Sequence, residues 1–194
     1  MTEKNKEQAV RQLLVDYGKK LVDTGLVQGT WGNISIRLDD EYMMVTPSGL
    51  DYQYLTTEDM VKVNINTLAY DGQRKPTSEK GLHAAVLRKR SEIGAVIHTH
   101  SKYCCIFAAA RVEMPIEHPE ARNIFGEKVA VSSYGFPGTE ELVEETMKGL
   151  GENNATIMAN HGMMCCGKDI AEAFDRCKLL EQCGKEYIES RYVD

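Results

Sequence analysis

Three of the chain's five histidines stand where an apolar run gives out: His98 and His100 close "GAVIHTH", and His161 closes "ATIMANH". Side chains two apart on a strand point to the same side, so His98 and His100 share a face and Thr99 looks away. Two imidazoles on one face suit the gripping of one ion. A third from another strand end completes the three-histidine set, with one open position, of a catalytic zinc. The ends of strands are also where sites form in α/β sheets. A lone buried histidine is most often a satisfied core residue, and a single His-X-His is a weak signal. Two such strand ends in one chain tilt the reading toward a metal.

Glu79 follows two hydroxyls, Thr77 and Ser78, in "KPTSEKGLH". A carboxylate at a helix start either satisfies the helix dipole or stands as a base facing the ion. His83 is four residues on and shares Glu79's helix face. It either approaches the ion or bonds Glu79, and a packing or hydrogen-bonding role is the expectation. Two more short loops, "GTWGN" (Gly29 to Asn33) and "TPSG" (Thr46 to Gly49), likewise carry glycine, a hydroxyl and free amides. One such loop is an ordinary turn. Three, in a chain with no Walker pattern, suggest a cup for a phosphate monoester. His118, in "MPIEHPEA", reads as a surface loop residue.

These groups need a scaffold, and 194 residues with 42% hydrophobic and 27% charged content suit one domain over residues 1–194. The net charge is -6 and acids and bases are interspersed. Arg88 to Arg90 reads as a solvated helix end, so phosphate-driven nucleic-acid binding is not expected. The N-terminus shows no apolar signal segment, and no run approaches the ~20 apolar residues that cross a bilayer. A cytoplasmic chain without membrane contact is expected. The six cysteines lack the spacing of a zinc ribbon or redox motif, and read as small buried hydrophobes.

Apolar residues at helical spacing predict a helix over 4–24, ended by Gly25. Alternation in "NISIR" and "YMMV" around "LDDE" predicts a hairpin, and "VKVNI" a strand. Ser78 is expected to cap a helix running to about Arg90, with Leu82, Ala85 and Val86 inward. "IGAVIHTH", "KVAVSSY" and "ATIMANHG" read as strands. "KYCCIFAAAR" after Ser101, "GTEELVEETMKGL" after Thr139, and the stretch from Asp169 read as helices. The sum is a mixed sheet with helices on both sides.

In order along nearly the whole chain, "GTWGNISIR", "VTPSGLDY", "KPTSEKGLHAAVLR", "AVIHTHS", "GTEELVE" and "ANHGMMCCGKDIAEAFDRCKLLE" resemble the class II aldolase/adducin family, closest to its zinc-dependent sugar-phosphate aldolases. The resemblance implies a three-layer α/β fold, its central and mainly antiparallel sheet flanked by helices. It implies a C4 homotetramer with sites at subunit boundaries and one Zn2+ per subunit on His98, His100 and His161. Glu79 matches the acid that exchanges between metal contact and proton abstraction. Thr30, Asn33, Ser48, Gly49, Thr77 and Ser78 match the phosphate-binding positions. The implied reaction is reversible cleavage of a ketose 1-phosphate, L-fuculose 1-phosphate or a related deoxy-sugar phosphate, through a zinc-stabilised enediolate. The products are dihydroxyacetone phosphate and an aldehyde. Where the aldolases place a proton-donating tyrosine from a neighbouring subunit, this chain has His118, with Tyr134 the other candidate. Two family relatives compete: the pentulose-5-phosphate 4-epimerases, which carry aspartate where this chain has Glu79, and methylthioribulose-1-phosphate dehydratase. A non-catalytic adducin-like binding module would have lost the histidines.

Overall fold

The computed structural model describes residues 3–192. Helix α1 (Glu3–Asp23) leads into β1 (Gly32–Arg37), β2 (Tyr42–Val45) and β3 (Val61–Asn64), the last reached through two 3-10 turns. Then come α2 (Lys80–Lys89), β4 (Ala95–Thr99), α3 (Lys102–Ala110), β5 (Met114–Pro115) and α4 (Pro119–Phe125). The chain ends with β6 (Lys128–Val129), β7 (Val131–Ser132), α5 (Glu140–Leu150), β8 (Ala155–Met158), β9 (Gly162–Gly167) and α6 (Ile170–Tyr192).

Seven strands form one sheet in the order β3-β2-β1-β4-β9-β8-β7, and β5 and β6 pair by themselves. Every pairing in the large sheet is antiparallel except β7 with β8. Strand alternation sorts the side chains between two cores. Ile34, Ile36 and Ile97 join residues of α1, α3 and α6 on one face. Val96, Met164 and Cys166 join residues of α2 and α5 on the other. The register sets Asn33 opposite His98 and His98 opposite Met164. Directly opposed residues point to one side, so the same alternation turns Asn33, Ser35 and His98 toward α2.

Several expectations need correction. "GMMCCG", read as following the last strand, is itself β9, and it pairs with β4 in the middle of the sheet. His161 therefore ends no strand; it lies in the tight turn between β8 and β9, where its N–H donates to the Met158 carbonyl. "KVAVSSY" splits into β6 and β7, which serve different sheets. "MPIEHPEA" is no simple loop, since it holds β5 and the start of α4. Glu79, and not Ser78, occupies the cap position of α2. The inward residues of that helix include Ala84 and Leu87, while Ala85 is half-buried. Arg90 is no solvated helix end: it is buried, with its guanidinium on the Asn153 carbonyl and the Glu92 carboxylate. Cys105 is half-buried and the other five cysteines are buried, all six as free thiols.

Candidate metal centre

The three rings converge. His98 and His100 centroids lie 4.8 Å apart, His98 and His161 4.7 Å, and His100 and His161 5.0 Å. Their potential ligand nitrogens all fall within 4.8 Å of one another. Backbone makes this approach feasible. A Cβ on Gly162 would come 2.4 Å from the Thr99 carbonyl and 2.9 Å from the His100 ring, so any larger residue would push the rings apart. Before Gly162, Asn160 takes a left-handed conformation (φ 55), a turn geometry that asparagine tolerates. Its N–H donates to the Ala108 carbonyl and its side-chain oxygen accepts from Arg111, which ties the His161 turn to α3. The chain after His100 is held as firmly. Ser101 does not cap α3 with its own oxygen: it donates to Glu181 of α6, and that carboxylate takes the Tyr103 and Cys104 N–H groups.

The His98 ring turns a lone pair toward the other two. His98 Nδ1 lies 2.8 Å from the Met163 carbonyl. A carbonyl only accepts, so Nδ1 carries the proton and Nε2 is bare. That Nε2 is 2.9 Å from His100 Nε2. Two nitrogens bound tetrahedrally at about 2.0–2.1 Å from one ion stand roughly 3.4 Å apart, so a small movement would suit both. Burial drives the His98 pKa down to about 4 against the pull of Glu79. Burial also lowers His100, reinforced by the neighbouring His161. Neutral rings are the form that binds a metal. The His161 Nδ1 is buried with no hydrogen-bond partner. This donor set fits a divalent ion.

Glu79 closes the arrangement. Its side chain makes no cap bond to α2. It reaches instead to His161 Nε2 at 3.1 Å and His98 Nε2 at 3.4 Å. Burial opposes its charge, but His98, His161 and the Asn33 amide together hold its carboxyl below the usual carboxylate range. Asn33 Nδ2 donates to it at 2.9 Å. The His83 ring bonds Asn33 and Ser35.

The hydroxyl-bearing loops are bonded to one another. Thr77 N–H donates to the Thr46 carbonyl and Ser48 N–H to the Lys75 carbonyl, each at 3.0 Å. Tyr52 N–H reaches the Gly29 carbonyl, and the Thr46 hydroxyl accepts from Ile34 N–H of β1. The result is a cavity of about 450 Å3 lined by every proposed metal and phosphate residue together with Glu79. Among the described residues no lysine or arginine lines it, so hydroxyls and backbone N–H groups are its donors to an anion. Within one chain neither His118 nor Tyr134 reaches it: His118 is the exposed residue ahead of α4, and Tyr134 is 43% exposed elsewhere. Outside the predicted loops, two lining residues were not anticipated: Pro137 and Asn160. Only Asn160, between the apolar run and His161, carries a readable signal, that of a turn former.

The profile described as "Class II Aldolase and Adducin N-terminal domain" matches residues 12–188. A 5-deoxy-D-ribulose 1-phosphate aldolase of Bacillus thuringiensis serovar kurstaki is 34% identical, over 96% of this chain and 87% of its own. An L-fuculose phosphate aldolase of Methanocaldococcus jannaschii is 35% identical, over 86% of this chain and 89% of its own. Among solved structures, an L-fuculose 1-phosphate aldolase superposes with a TM-score of 0.89 at 34% identity, over 94% of this chain and 86% of that one.

Proposed function

The chain belongs to the class II aldolase and adducin N-terminal domain family, and from that premise we propose that it is a metal-dependent aldolase splitting a ketose 1-phosphate into dihydroxyacetone phosphate and an aldehyde. The observation that carries this reading is the buried Glu79 carboxylate set against three converged imidazoles. A divalent ion on His98, His100 and His161, zinc being the first choice for three imidazoles, would supply a Lewis acid for the negative charge that develops on substrate oxygen. The chain's own residues do the rest. Ser48, Gly49, Thr77, Ser78 and Thr30 hold the phosphate, whose binding energy positions carbons away from it; Asn33, matched to the same set by resemblance, spends its amide on Glu79 and His83 instead. In condensation Glu79 takes the proton from the carbon beside the donor's carbonyl, and that carbon's electron pair forms the bond to the aldehyde. In cleavage that bond breaks and Glu79 returns the proton to the same carbon.

Protonation of the aldehyde oxygen falls to a group outside this cavity. His118 of a neighbouring subunit is the proposed donor, with Tyr134 second, in a homotetramer with its sites at the boundaries. Residues 1–194 act as one such domain, in the cytoplasm. The described residues include no helix long and apolar enough to cross a membrane.

The test is to incubate the metal-loaded protein with L-fuculose 1-phosphate, 5-deoxyribulose 1-phosphate, methylthioribulose 1-phosphate and ribulose 5-phosphate. Release of dihydroxyacetone phosphate with an aldehyde from a 1-phosphate supports the proposal. Epimerised pentulose 5-phosphate, dehydrated methylthioribulose phosphate, or no turnover with any of them rejects it in favour of the corresponding relative.

A further inference from the structure

Behind the cavity, between β1 and α2, lies a file of four polar side chains: Ser35, His83, Asn33 and Glu79. Ser35 and His83 are fully buried, and Asn33 and Glu79 nearly so. Ser35 Oγ is 2.7 Å from His83 Nδ1, His83 Nε2 meets Asn33 Oδ1, and Asn33 Nδ2 is 2.9 Å from Glu79 Oε2.

The direction of every bond in this file follows from one charge. An ionised carboxylate only accepts, so Asn33 must turn its NH2 to Glu79. Its oxygen then faces His83, which must offer a proton from Nε2. A neutral imidazole carries one proton, which leaves Nδ1 bare and obliges the Ser35 hydroxyl to donate. Burial holds His83 neutral, with a pKa near 3. An amide is easily flipped when nothing fixes it. Here a flip would set oxygen against carboxylate and, with His83 in this tautomer, NH2 against N–H, two repulsions in a space closed to water.

We propose that His83 is a positioning residue for Glu79: with Ser35 behind it, it locks the Asn33 amide in the one orientation that ties Glu79 Oε2 and leaves Oε1, which faces His161 Nε2 at 3.1 Å, to take the substrate's proton. The inference rests on the aldolase reading for what Glu79 does, and on the hydrogen-bond file alone for how Glu79 is held. The effect belongs to the rate of proton transfer. His83 lines neither the phosphate loops nor the ring cluster, so affinity for the phosphate and for the metal should be insensitive to it.

The test has two arms. Nitrogen-15 NMR of the histidines in the metal-free protein should show His83 with Nε2 protonated and Nδ1 bare. The opposite tautomer overturns the proposal whatever the activity. In the metal-loaded protein, exchange of the carbon-bound hydrogens of dihydroxyacetone phosphate with solvent reports Glu79 directly. His83→Leu should cut the exchange kcat by about 10–100-fold, the usual cost of losing an outer-shell partner, with unchanged metal content and KM. His83→Gln should recover most of it, since its amide offers nitrogen to Asn33 and oxygen to Ser35. Undiminished exchange in His83→Leu rejects the inference. So does a folded His83→Gln as slow as His83→Leu, because His83 would then serve packing alone. Should His83→Leu fail to fold, His83→Gln and the tautomer decide. A parent protein that exchanges no hydrogens overturns the aldolase reading, and the NMR arm still judges the bond directions.

Discussion

Of two charge-lined hollows in this molecule, the larger is the poorer candidate for chemistry. A hollow of about 1090 Å3 lies over the β2–β3 edge, with Arg11, Lys62 and Arg74 in its wall. The histidine cavity is less than half that size, at about 450 Å3. In the hollow the three cations are already engaged. Arg11 donates to the Thr57 and Met60 carbonyls, Lys62 pairs with Glu7, and Arg74 pairs with Asp59. In the cavity it is open. His98 Nε2 meets only the other groups of the cluster, His161 Nδ1 is buried without a partner, and Glu79 is held ionised out of water. Buried polar groups are almost always satisfied within the protein; the Thr99 and Thr146 hydroxyls are open singly, whereas groups that converge on one cavity point to a ligand. Size and charge do not mark a site; unsatisfied capacity in a dry place does.

Removing a ring from the cavity should break this contrast most severely. His98→Ala deletes the imidazole whose tautomer is fixed by Met163. Metal affinity should drop by more than the roughly 100-fold that loss of an outer-shell partner costs, and turnover should vanish with it. Elemental analysis after dialysis reads the first effect. One full equivalent of metal in this variant would show that the rings do not converge on an ion.

Glu79→Gln separates holding the metal from moving the proton. Gln keeps the shape and can still accept from Asn33, so metal content should stay at the parent's level. Cleavage should slow by about 10²–10⁴-fold, the usual contribution of a general base. Parental turnover would return Glu79 to the bland role of a helix-end acid. Its lack of any cap bond to α2 argues against that.

How much of this contrast was readable beforehand follows from the range of each interaction. Period-two alternation put His98 and His100 on one face, and the hydroxyl-bearing loops announced themselves by composition. Their convergence was not readable, because it rests on bonds such as Thr77 N–H to the Thr46 carbonyl, between segments far apart in the chain. β9 was missed because "GMMCCG" has neither alternation nor β-branched residues; both its faces are buried, and methionine and cysteine fill them. Losing β9 moved His161 from a hairpin turn to a strand end. The four-residue spacing of Glu79 and His83 suggested direct contact, but packing inserts Asn33 between them from a strand. The antiparallel order came only with the family resemblance, since periodicity does not tell a strand's partner.

Ser48→Ala probes the cavity's other end with a smaller effect. A hydrogen bond to a charged group is worth about 1.5–3 kcal/mol. An exposed hydroxyl that shares the phosphate with backbone amides sits at the low end of that range. KM for the ketose phosphate should rise about tenfold at an almost unchanged kcat, as steady-state kinetics would reveal. A fall in kcat at constant KM would place Ser48 at the reacting carbons and reverse the assignment of the cavity's two ends.

The smallest effect belongs to the hollow, and its smallness is the point. Arg74 lies 2.6 Å from Asp59, and its side chain is 51% exposed. Water screens such a pair, so Arg74→Ala should cost less than about 1 kcal/mol. Asp59 would keep its bonds from the Thr56 backbone and hydroxyl, so no buried charge would be stranded. For a chain of this length the melting temperature should fall by no more than about 4 °C, with kcat and KM unchanged. Glu79 is the opposite case: a carboxylate of similar burial whose partners face a cavity instead of closing on one another. A large loss of activity in Arg74→Ala would mean that the hollow takes part in turnover. Capacity left open would then no longer be what separates the two regions.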